Sequence, residues 1–264
     1  MLPILISTPH SSAAVPAEIF SSMLETGENK ILLQNRILYE GDPLTDQIFS
    51  IPDVLTTINA EYSRFVVDLN RERNEMGENG VIKLTDFNRN PFYAPSYQLT
   101  VVERERRLKL YYDPYHDNLE KYFSENRFDF FIDGHSMTAM GPAIGPDQEN
   151  PRPAICIGNF GDERGEKNGS ELSCSPAQAR FIQGKLDELL SDFLREEKLP
   201  TEIALNRPFE GGYILKKYSA APFSVPGILL EINRALYWDE VKVAPIPGRI
   251  AVINAAIREL VRGL

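Results

Sequence analysis

Two of the three histidines in the 264-residue chain sit in equivalent contexts. His10 follows the apolar run 4–6 in the string STPHSS, and His135 follows the run 130–132 in IDGHS. If both runs are parallel strands, both imidazoles reach the carboxyl edge of a sheet, where open α/β sheets bind ligands. Glu231 ends a third run, 228–230, and a carboxylate directly after buried aliphatics is costly unless it meets a cation, a metal or solvent in a cleft. Two imidazoles with carboxylates around a cleft are the donor set of a catalytic zinc site with one position left for water. By spacing alone, His10 and His135 could equally be unrelated loop residues.

A further constellation is Ser63 to Arg71, SRFVVDLNR. Arg64, Asp68 and Asn70 alternate with apolar residues and are expected on one strand face, with Arg71 at the strand end. An arginine beside an asparagine can hold a carboxylate at two points. A structural Arg–Asp pair on an edge strand is the other use of such residues. Gly211-Gly212-Tyr213 suits either a close backbone approach to a ligand, with a phenol presented to it, or a tight turn.

Short, nearly continuous apolar runs at 4–6, 54–58, 65–69, 128–132, 154–157 and 227–230 suit strands covered on both faces. Helical spacing runs over 101–123, where Pro114 implies a kink or a break, after the cap pair Ser175-Pro176, and after Pro247. The segments 72–96, 141–148 and 158–173 are rich in Gly, Pro, Asn and charge and are expected as binding loops or lids. The pattern implies one α/β domain over residues 1–264, with a mixed, mostly parallel central sheet between helical layers. A net charge of −10 argues against a nucleic-acid partner. No apolar stretch nears the roughly 20 residues a bilayer requires, so no membrane is expected. Two cysteines cannot form a disulfide framework, and a cytoplasmic location is expected.

Six strings, STPHSS, SRFVVDLNR, YHDNL (115–119), FIDGHS (131–136), ALNRPFEGGYI (204–214) and ILLEINRALY (228–237), resemble the N-formylglutamate amidohydrolase family in the family's order. DLNR is also similar to a string of the aspartoacylase and succinylglutamate desuccinylase group, relatives of zinc carboxypeptidases. The resemblance implies a carboxypeptidase-like fold, one zinc ion per chain, and hydrolysis of the amide of an N-acylated acidic amino acid, N-formyl-L-glutamate first among them. It makes His10 and His135 metal ligands, Glu231 the general base, Arg64 the group that steadies the oxyanion, and Asn70 and Arg71 the grip on a substrate carboxylate. Tyr213, after the glycine pair, is expected as a further substrate contact. Where the related groups place a glutamate ligand three residues after the first histidine, this chain has Ala13. Asp46, in GDPLTDQIF, is the first choice for the third ligand. Asp133 is the second choice, or else accepts a hydrogen bond from a ligand histidine. His116 is expected on a helix flank, in a structural or surface role. With Ala13 in that position, a non-catalytic binder of acidic metabolites stands as one alternative, and a carboxypeptidase-type peptidase is another. Oligomeric state is not legible.

Overall fold

A computed structural model describes all residues, 1–264. Six strands form one sheet in the order β2-β1-β3-β6-β4-β5, with β1 Leu2–Thr8, β2 Val54–Asn59, β3 Phe130–Met137, β4 Ile155–Gly158, β5 Ile203–Leu205 and β6 Gly227–Asn233. Strands β2, β1, β3 and β6 run parallel, β4 pairs antiparallel with β6, and β5 follows β4. The sheet is thus mixed and mostly parallel.

The two faces of the sheet differ in chemistry because successive side chains alternate. Ile4, Ile6, Ile132, Ile228, Leu230 and Ile232 point to one face and join a 30-residue apolar cluster. That face is covered by helices α3 (Thr45–Ile48), α6 (Pro176–Glu196) and α8 (Arg249–Arg262). In α6, Ile182, Leu186, Leu190 and Leu194 are fully buried at helical spacing, each contributing roughly 1.5–3 kcal/mol. The helix begins at a complete capping box between Ser175 and Gln178. Gly134 belongs to the same face, where an added Cβ would lie 2.8 Å from the Phe49 ring. Glycine there lets Phe49, at the end of α3, pack flat on β3.

The opposite face changes along the strands. Leu5, Phe131 and Leu229 are core residues, whereas Ser7, Asp133, His135 and Glu231, farther along the same strands, are polar and buried. The apolar part lies under α5 (Asp113–Glu125) and α7 (Tyr213–Ser219). Between α4 (Val101–Arg107) and α5 the chain makes a π-turn over Leu108–Tyr112, and Pro114 stands directly after it in the first turn of α5. A third apolar cluster joins α1 (Ala17–Leu24) and α2 (Lys30–Glu40) to Phe65, Val66, Phe92 and Tyr93.

Residues 63–71 are not a strand. Val66 N–H donates to the Ser63 carbonyl at 2.8 Å and Asp68 N–H to Val81 at 2.7 Å. The segment is a turn-rich wall whose apolar side chains pack inward while Arg64, Asp68 and Asn70 face the strand ends.

Candidate active site

His10, two residues beyond β1, and His135, inside β3, meet at the carboxyl edge with ring centroids 4.9 Å apart. A third group joins them, and it is Asp42. Its Oδ2 lies 3.3 Å from His10 Nδ1 and 3.0 Å from His135 Nδ1, and one donor atom from each of the three residues falls within 4.8 Å of the others. All three are buried. The far nitrogens are held from behind: His10 Nε2 by Asp68 Oδ1 at 2.8 Å and His135 Nε2 by Asp133 Oδ2 at 3.2 Å. Each imidazole therefore presents Nδ1 to a common point while a carboxylate fixes its tautomer, the arrangement found behind metal-binding histidines.

Asp42, not Asp46, completes this group. Asp42 follows α2, and its backbone N–H donates to the His10 carbonyl at 3.0 Å, which docks the turn onto the end of β1. Asp46 lies in the first turn of α3 and does not line the cleft. Spacing cannot separate two aspartates four residues apart, but Asp42 precedes Pro43, which biases its backbone away from helix and toward an extended turn. That bias shapes the turn, and the contact with His10 places the carboxylate. Asp133 takes the position behind His135, and Ala13 packs with the third apolar cluster.

The group suits a divalent cation. His10 Nδ1 is a buried nitrogen with no hydrogen-bond partner, an arrangement that is costly unless something fills the point it faces. Burial opposes the charge on Asp42, yet the neighbouring imidazoles of His10 and His135 hold its carboxyl well below the usual range. Burial likewise opposes ionisation of Asp68, and Arg64 and His10 overcome it. Two nitrogens and one carboxylate oxygen form a donor set that matches zinc with an open position.

Glu231 lies beside His135 on the neighbouring strand, as its register partner. No protein hydrogen bond holds its carboxylate, and burial lifts its pKa to about 7, with His135 opposing and Asp42 reinforcing the shift. A carboxyl poised there suits proton transfer near neutral pH. Arg64 and Arg71 also line the cleft, which has a volume of about 740 Å³. Arg64 Nη2 pairs with Asp68 Oδ2 at 2.8 Å, and its Nε has no partner. Arg71 donates only to the backbone carbonyls of Asn79 and Asn70, at 3.0 and 2.9 Å.

Asn70 lines the cleft, but its amide is engaged within the protein. Its Oδ1 accepts from Ile214 N–H at 2.8 Å, and its Nδ2 lies 3.3 Å from Asp133 and 3.1 Å from His135. Gly212 permits this, since a Cβ there would fall 2.4 Å from Asn70 Nδ2. Tyr213 opens α7 away from the cleft, against His116 and Lys217. The glycine pair thus serves close packing, and the phenol is not a wall of the site. His116 is buried with Nε2 donating to the Leu69 carbonyl at 3.0 Å. Cys156 and Cys174 are buried thiols, each pushed up to about 12, so neither is a nucleophile at neutral pH.

The N-formylglutamate amidohydrolase family profile matches residues 2–238. The chain belongs to that family. It is 26% identical over 250 residues to an N-formylglutamate deformylase of Pseudomonas putida, covering 90% of this chain and 83% of the relative. It is also 26% identical over 277 residues to one from Pseudomonas aeruginosa, covering 100% and 92%. The crystal structure of N-formylglutamate amidohydrolase from Ralstonia eutropha JMP134 superposes with a TM-score of 0.72 at 20% identity, covering 100% of this chain and 95% of that one. The chain is therefore an amidohydrolase, and its fold is that of the N-formylglutamate amidohydrolase structure. No helix is long and apolar enough to cross a membrane.

Proposed function

We propose that the enzyme is a zinc-dependent deformylase that hydrolyses N-formyl-L-glutamate to L-glutamate and formate. The observation that carries this reading is the convergence of His10 Nδ1 and His135 Nδ1 on Asp42 Oδ2, beside Glu231, in one cleft. The deformylase names of the two Pseudomonas relatives supply the substrate. His10, Asp42 and His135 would hold the ion. Bound there, zinc supplies Lewis acidity to water and to the acyl oxygen.

The protein groups divide the remaining work. Glu231 accepts a proton from the attacking water as the C–O bond forms, then returns it to the amide nitrogen as the C–N bond breaks. Arg64 stands in the same cleft with a free Nε and stabilises the negative charge on the former carbonyl oxygen. Asp68 holds both His10 and Arg64, so one buried carboxylate orients a ligand and the oxyanion group together. Arg71 has no acidic partner and takes a substrate carboxylate, while Asn70 positions His135 and Asp133 behind it.

With Asp42 completing the donor set, Ala13 is no reason to read the protein as a binder that has lost its metal. The test is metal analysis of the purified protein together with turnover of N-formyl-, N-acetyl-, N-succinyl- and N-formimino-glutamate. The expected result is about one zinc per chain and preference for the formyl compound. A protein that holds no zinc and turns over none of the four overturns the reading.

A further inference from the structure

Four arginines and no lysine line the cleft: Arg64, Arg71, Arg152 and Arg234. Two of them are neutralised within the protein. Arg64 pairs with Asp68 at 2.8 Å, and Arg152 is clamped by both oxygens of Asp147 at 2.8 Å each. The other two are not. Arg71 holds only backbone carbonyls, and Arg234 is the more extreme case.

Arg234 follows β6, three residues after Glu231, and is only 4% exposed. Its Nη1 donates to the Tyr39 carbonyl, and its guanidinium stacks over the Tyr39 ring at 5.0 Å. Its Nε is buried with no partner. No acidic side chain forms an ion pair with it, although Glu40 and Glu240 line the same cleft. Glu40 is engaged elsewhere, accepting from Phe87 N–H and Asn88 Nδ2 at 3.3 Å each. A buried guanidinium without a counter-ion is costly, and in a cleft wall that cost is relieved when an anionic ligand arrives.

We infer that Arg234 is a specificity-determining residue that receives a second carboxylate of the substrate, the first being held at Arg71. The inference rests on the deformylase reading and sharpens it: the site recognises a dicarboxylic N-acyl amino acid through two separate arginines with charge to spare. Their surroundings do not overlap, since Arg71 is fixed by Asn70 and Asn79 and Arg234 by Tyr39.

The experiment compares N-formyl-glutamate with N-formyl-glutamine, which keeps the length and loses the side-chain charge. The zinc-loaded wild-type enzyme, Arg234→Gln and Arg234→Lys are assayed side by side. Calorimetric titration with glutarate and with butyrate reads binding without turnover. Wild type is expected to favour the glutamate compound in kcat/KM by about 10²-fold or more, and to bind glutarate more tightly than butyrate. Arg234→Gln, which keeps a donor for the Tyr39 carbonyl, should abolish both preferences, its loss falling far more heavily on the glutamate compound than on the glutamine one. Arg234→Lys should restore part of them. Equal loss on both substrates, or no loss on either, overturns the assignment. If the variants do not fold, wild-type binding decides: glutarate held no better than butyrate overturns it as well. A wild type that cleaves no N-formyl amino acid, yet binds glutarate in an Arg234-dependent way, sinks the deformylase reading and keeps the arginine assignment. Active enzyme indifferent to Arg234→Gln does the reverse.

Discussion

His135 and Glu231 are register partners on adjacent parallel strands, β3 and β6. A candidate ligand and the candidate base are therefore set side by side by the backbone ladder, at the roughly 4.8 Å strand spacing, and not by loops. Rigid strands hold such a pair to the fraction of an ångström that proton transfer needs.

That pairing separates the roles of the two side chains. Glu231→Gln keeps the shape and removes the base, so kcat should fall about 10²–10⁴-fold with zinc content unchanged. Loss of zinc from this variant, read by metal analysis, shows Glu231 to be a ligand.

The two aspartates of GDPLTDQIF should behave oppositely. Asp42→Asn, like His10→Ala or His135→Ala, is expected to lower zinc occupancy sharply, while Asp46→Asn retains it. Elemental analysis after dialysis against a weak chelator measures this. The ligand set is wrong if Asp46→Asn is the variant that loses the ion.

Asp68→Asn should weaken zinc binding about 10–100-fold, the usual effect of losing a carboxylate behind a ligand histidine. It also leaves Arg64 and the buried Lys83, whose Nζ lies 3.7 Å from Asp68, without their anion. A competitive zinc titration against a chelating dye gives the affinity. An unchanged constant removes Asp68 from the metal centre.

Arg71→Ala should raise KM with little change in kcat, the signature of lost ground-state binding. The expected weakening is about 2–4 kcal/mol. Equal kcat loss with unchanged KM makes Arg71 a transition-state group instead.

Acid should act through His116. Burial pushes its pKa down to about 4, from 6.5 when unfolded. The unfolded chain then binds the extra proton first, so stability is full above pH 6.5 and falls as pH drops toward 4. The shift corresponds to about 3 kcal/mol. Urea unfolding at pH 7 and pH 4 should show His116→Gln less acid-sensitive by that order, and identical slopes refute the account.

The polar strand ends were legible because hydrophobic runs mark the strands and alternation fixes the faces. His10, His135 and Glu231 thus sit at one edge, as their shared context implied. Residues 63–71 misled because alternation there reflects a wall with one side on the core and one on the cleft, not a pleat. Asp42 was missed because its place depends on a hydrogen bond to His10 across 32 residues, which no local spacing encodes. The glycines before Tyr213 make room for Phe160 and Asn70 and do not bring the phenol to the cleft.

The order of the strands in the chain has a further consequence. All three residues that converge at the candidate metal centre are synthesised by position 135, on the β1–β3 half of the sheet. Glu231, the candidate base, stands on β6, the last of the six strands in the chain, which lies between β3 and β4. The candidate ligands thus come from the first 135 residues of the chain and the candidate base from its last quarter, and they meet only through the pairing of β3 with β6.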